Sequence, residues 1–181
     1  MPARAFHRHR LGCLVACLGS TWIAVGAAQA ASLSDKDVHV IGKVLGFLDP
    51  VPAGGAVAVV YASGDAASKA DADAIAALFG GGLAVGSGNV TAKAVDGAAL
   101  GDGSGYIGII AAAGVQGDGA MTAAKAHKIP CITSSTALVK AGQCLIAVHS
   151  DPSVDITVNH AATTAAGVSF DSAFGMLVHE I

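Results

Sequence analysis

The chain has 181 residues, with ten Lys and Arg against thirteen Asp and Glu, a formal charge of −3. Its three arginines, Arg4, Arg8 and Arg10, all fall in the first ten residues, so the remainder of the chain carries seven lysines against thirteen acids, a charge of −6. Binding nucleic acid requires cationic side chains to replace condensed counterions, and this composition argues against it.

The opening has the three parts of a secretory signal: a basic start (MPARAFHRHR), an apolar run from Leu11, and small residues at Ala28 and Ala30. Cleavage is expected after Ala30, leaving one domain over 31–181, long enough to bury a sizeable core. The run is too short and wrongly flanked for a permanent membrane span. A lipobox-like LVAC ending at Cys17 offers a second reading, in which Cys17 is lipidated, but only about six apolar residues precede it. The expected location is therefore the periplasm. Two cysteines remain after cleavage, Cys131 and Cys144. In an oxidising compartment an isolated pair is a disulfide candidate, with two buried free thiols as the alternative.

In chain order, SDKDVHVIGKVLGFLDP reads as a helix capped by Ser34 and ended by Pro50. AVAVVYA (56–62) is an apolar, β-branched run of the kind covered on both faces in parallel sheets. SKADADAIAALF is the next helix, stopped by Gly80-Gly81-Gly82, and NVTAKAV (89–95) alternates as a strand. A loop at 101–105 leads to a buried strand at 106–112, then a helix in GDGAMTAAKAHK and a strand in IPCITS (129–134). A short helix, STALVKAG, precedes strands at 143–149 and 153–158, which a turn at Asp151-Pro152 joins too tightly for a parallel crossover. The fold class is thus α/β, a single Rossmann-like three-layer domain with a mostly parallel sheet and an antiparallel edge hairpin near the C-terminus. Finally, Asn159 caps HAATTAA, Gly167 stops it, and Asp171 or Ser172 caps a last helix through Met176, Leu177 and Val178.

No chemical motif stands out. GGGLAVGSG and GDGSG supply neither G-x-G-x-x-G between strand and helix nor G-K-[ST], so they read as loops. No serine sits in a nucleophile elbow, and none of His39, His127, His149, His160 and His179 falls in H-E-x-x-H. A metal set can be sketched from His149, Asp151, Asp155 and His160, but turn and cap chemistry accounts for the same residues. The residues indicate no catalysis, cofactor or metal.

The closing segment nevertheless carries a resemblance. A strand ending in Asn159, glycine eight residues on at Gly167, then Asp171-Ser172 and Met176-Leu177, resembles the C-terminal half of the YfiR family of periplasmic proteins. IPCITSSTALVKAGQCLIAV is similar to the strand, loop and glycine-led strand that precede it there, and Cys144 just after Gly142 also occurs in some members. The likeness covers roughly 128–181 well and 34–65 loosely; the aromatic-Trp-Pro end of the first helix is Phe47-Leu48-Asp49-Pro50 here, and the family's arginines are missing. The resemblance implies a non-catalytic regulatory protein that contacts the periplasmic sensor domain of a membrane-bound diguanylate cyclase or another envelope signalling protein, and it allows for a homodimer. AVAVVYASGDAASKADADAI also looks like part of a periplasmic substrate-binding protein of ABC transporters. That alternative, a single-lobe small-molecule binder, places its sites at strand carboxyl ends, at Ser63-Gly64 and Ser134-Ser135.

Overall fold

A computed structural model describes residues 32–181. The expected signal segment, its cleavage after Ala30 and the lipidation of Cys17 lie outside the described residues.

Helix α1 (Asp35–Gly46) opens with a capping box. Ser34 Oγ accepts from the Asp37 N–H at 3.3 Å, and Asp37 Oδ2 accepts from the Ser34 N–H at 2.7 Å and from its hydroxyl at 2.6 Å. Val38, Ile41, Val44 and Leu45 then recur at helical spacing and are buried. Strand β1 (Gly55–Tyr61) comes next, with Val57, Ala58, Val59 and Val60 all buried, as a strand covered on both faces requires. Helix α2 (Ala66–Leu78) begins earlier than the lysine-bearing segment suggests, because Asp65 Oδ1 takes the N–H groups of Ala67 and Ser68 at 2.9 and 3.1 Å.

The glycine-rich stretch after α2 is more than a loop. It contains strand β2 (Leu83–Val85), which turns through Gly86 and Ser87 into β3 (Gly88–Asp96) as an antiparallel hairpin. Gly86 has φ +57°, the left-handed conformation that such two-residue turns demand. Next come β4 (Tyr106–Ala111), α3 (Asp118–His127), β5 (Cys131–Thr133), α4 (Thr136–Lys140), β6 (Ile146–His149), β7 (Asp155–Val158) and α5 (His160–Ala166). The expected last helix is not formed. A single turn of 3-10 helix (Phe174–Met176) leads instead into strand β8 (His179–Glu180). The segment is too short to repay helix nucleation and has Gly175 at its centre, whereas pairing with β7 satisfies its main chain directly.

The sheet has eight strands in the order β2-β3-β1-β4-β5-β6-β7-β8. Strands β3, β1, β4, β5 and β6 are mutually parallel, β2/β3 and β6/β7 are antiparallel, and β8 runs parallel to β7. The β6/β7 hairpin is therefore antiparallel as expected, but β8 rather than β7 forms the edge. The chain leaves β1 in one direction to β3, then crosses back to β4 on the other side. Right-handed crossovers thus place α2 and α3 on opposite faces; α1 packs with α2 and α5 with α3, completing three layers. Among the largest fully buried side chains are Phe79, Ile41, Leu45, Ile109 and Ile132. The expected disulfide joins Cys131 of β5 to Cys144 just before β6, with both residues completely buried. No described helix is long and apolar enough to cross a membrane.

Candidate functional site

In an open α/β sheet the strand carboxyl ends at the point where strand order reverses are the customary ligand site. Here that point lies between β1 and β4, and Ser63-Gly64 come just after β1. A cavity of about 270 Å³ opens there, lined by Tyr61, Ser63, Leu100, Val115, Gly117 and Asp118 among others. Of its lining side chains, Ser63 and Asp118 are bonded within the protein, and so are the polar groups around it. The Ser63 hydroxyl donates to Asp96 Oδ1, and both oxygens accept from the Ala98 N–H, at 3.1 and 2.9 Å. The Ser63 hydroxyl, then the Ala98 N–H, hold the Asp96 carboxyl below its usual range. Ser68 Oγ accepts from the Ala62 N–H at 2.9 Å, and Asp71 Oδ2 from the Ala113 N–H at 2.8 Å. Lys69 is paired with Asp73 at 2.6 Å and lies over the Tyr61 ring. The start of α3 carries Asp118, which accepts from Gln143 Nε2 at 3.1 Å. Asp118 is the one charged residue in the lining, and no lysine faces it, which does not favour an anionic ligand.

The second expected pair, Ser134-Ser135, stands after β5, two strands from β1 and hence roughly 10 Å along the same sheet edge. Ser135 Oγ caps α4 by accepting from the Leu138 N–H at 3.3 Å, Thr133 Oγ1 accepts from the Ser135 N–H at 3.1 Å, and Ser134 is buried. Neither serine lines the cavity beside Ser63. The residues of the metal sketch are only partly brought together. His149 and Asp155 are cross-strand partners, Asp151 stands in the intervening turn, and His160 begins α5 with Nδ1 3.9 Å from Glu180 Oε2. Among the described residues no group of three or more His, Cys, Asp or Glu side chains could hold a metal ion.

One polar cluster escapes reading from sequence, because α1 and β6 come together only in the fold. Asp37 and Ser150 are buried, and neither Asp37 Oδ1 nor Ser150 Oγ meets a partner with full hydrogen-bond geometry, although the Ser150 hydroxyl lies close enough to act on the carboxylate. Burial favours the neutral acid, yet the Ser34 hydroxyl and N–H, with the Ser150 hydroxyl and His149 nearby, outweigh it and hold the Asp37 carboxyl below its usual range. The only sequence signal for this was the Ser34–Asp37 capping-box spacing.

The closing segment is built in two halves. Asn159 does cap α5: its Oδ1 accepts from the Ala162 N–H at 2.9 Å, and its Nδ2 donates to the Val139 carbonyl at 2.8 Å. Gly167 ends α5 at φ +66°. Asp171 Oδ1 accepts from the Ala173 N–H at 2.8 Å and so caps a turn, not a helix, while Ser172 is exposed beside it. Phe174 then enters the core, stacked on Phe170 at 4.5 Å and tilted against Phe47 at 5.6 Å. The residues after it turn outward: Met176 is 82% exposed, Leu177 58% and Ile181 41%. Five large apolar side chains are exposed among the described residues, and these three lie within the last six positions, with Val51 and Val154 elsewhere.

No family model matches the chain, and no curated protein matches it.

Proposed function

We propose that this is a non-catalytic periplasmic regulatory protein that docks a partner on the apolar surface of its C-terminal segment. The observation that carries the reading is the exposure of Met176, Leu177 and Ile181 around the edge strand β8. The internal bonding of Ser63, Asp96 and Ser135 supports it, since these groups at the strand ends are engaged with the fold. A buried disulfide suits an oxidising compartment. The resemblance of the Asn159–Leu177 segment to YfiR proteins names the partner class: the periplasmic sensor domain of a membrane-bound diguanylate cyclase, or another envelope signalling protein.

The test is a chromosomal Met176→Asp, Leu177→Asp double variant beside a deletion. Both are expected to change cyclic-di-GMP output to the same extent, with the variant protein present at its normal level. Unchanged output in the deletion strain removes the reading; a changed deletion strain with a normal double variant removes the surface. The alternative, a single-lobe small-molecule binder, rests on the cavity beside Ser63 and predicts a metabolite-induced rise in thermal stability that a Ser63→Val variant loses.

A further inference from the structure

A larger cavity, of about 500 Å³, lies at the opposite end of the sheet, below the amino ends of β1, β4 and β5. It is walled by the loop after α1, the start of β4, the α3–β5 connection and the residues after α5. Leu48, Pro50, Ile107, Ile129 and Pro130 give it an apolar lining. Tyr106, His127 and Ser169 line it as well, and it opens to solvent along one side; its size is that of a small-molecule cleft, which needs only a few placed polar groups to orient its ligand.

Two opposite charges stand in this lining, Asp49 from the α1–β1 loop and Lys128 from the α3–β5 connection. Both are exposed to solvent; they do not pair with each other, and among the described residues neither side chain makes an ion pair or hydrogen bond, while the nearby His127 is already held by Asp102 at 3.4 Å. Lys128 is also the one described residue other than glycine with positive φ, at +54°. Glycine or asparagine normally terminates a helix in this conformation, and a lysine there carries a steric cost. Its aliphatic stem lies across Gly167, where an added Cβ would come within 3.4 Å of Lys128 Cγ. The bare backbone at Gly167 thus seats the lysine along the wall of the cleft.

We infer that this cleft binds a small apolar zwitterion, an amino acid or dipeptide with a branched aliphatic side chain, its ammonium toward Asp49 and its carboxylate toward Lys128. The charges of such a ligand complement those of the cleft, whereas a simple anion or cation would meet one like charge. The apolar side chain faces Ile107, Ile129 and the prolines.

Calorimetric titration of the full domain with leucine and with Leu-Leu tests this, using leucinamide and 4-methylvalerate as the singly charged controls. Leucine or Leu-Leu should bind, and each control should bind roughly tenfold more weakly or worse, since each forfeits one charge-assisted contact. Lys128→Gly should weaken leucine binding roughly tenfold or more, as the change to leucinamide does, while Tm stays unchanged or rises because glycine relieves the left-handed conformation; Lys128→Asn should behave alike, and Asp49→Asn should weaken binding about as much as the change to 4-methylvalerate does. The inference is overturned by no binding of either zwitterion at millimolar concentration, by equal binding of a control, or by Lys128→Gly binding normally. A lowered Tm in Lys128→Gly with intact zwitterion binding would make Lys128 a packing residue and overturn its assigned role.

Discussion

Asn159 uses both ends of its side chain on the backbone, one to start α5 and the other to hold the last turn of α4 through Val139. Asn159→Ala removes a cap and strands a carbonyl, so it should cost about 2 kcal/mol in urea unfolding. Asn159→Asp should cost a similar amount, since a carboxylate still caps the helix but sets an acceptor oxygen against the Val139 carbonyl in place of the donor. Asp37 makes a prediction in pH. Its folded pKa lies below its unfolded value, so the stabilisation it provides is full above about pH 4 and disappears as pH falls through the lowered folded value. The stability gap between the native chain and Asp37→Asn should therefore be widest near neutral pH and close on acidification. A gap that stays constant from pH 7 to pH 2.5 would show that the carboxylate charge does not matter there.

At the scale of elements, the disulfide between β5 and the turn before β6 spans 13 positions. Closing a loop of that size in the unfolded chain is worth about 3 kcal/mol, so Cys131→Ala, Cys144→Ala should lower unfolding stability by that order. Reduction without unfolding should be slow, because both sulfurs are buried. The elements legible in the sequence were those whose signals are local: the β-branched run of β1, the caps at Ser34 and Asn159, the glycine stop at Gly167. Strands β2 and β8 were not, because three and two residues carry no periodicity and their pairing partners are set by the fold. Gly88 illustrates the same limit. It looked like one more loop glycine, yet an added Cβ would sit 2.2 Å from the backbone of Ala53, so the hairpin can approach β1 only with glycine there. The candidate sites were legible as residues at strand ends but not as an ensemble, since hydrogen bonding within the loops decides whether Ser63 or Ser135 is available.

At the scale of the whole molecule, the C-terminal segment is what joins the two ends of the described fold. The Asp171 N–H donates to the Phe47 carbonyl at 2.8 Å, and the Asp49 N–H to the Ser169 carbonyl at 2.9 Å, fastening the tail to the loop after α1. Ile181 continues the attachment, its N–H donating to the Val158 carbonyl at 2.9 Å. Phe174 is the anchor of this arrangement and Met176-Leu177 its free surface, although they are neighbours in one turn. Their substitutions should therefore separate cleanly. Phe174→Ala opens a cavity between Phe170 and Phe47 and should cost about 3 to 5 kcal/mol. Met176→Asp with Leu177→Asp replaces side chains already in water and should change unfolding stability by no more than about 0.5 kcal/mol. If the exposed pair instead proved as costly as Phe174, those side chains would be packing in solution, against a second copy or against the fold itself. Concentration dependence of the melting temperature would tell the two apart, because only association makes Tm rise with protein concentration.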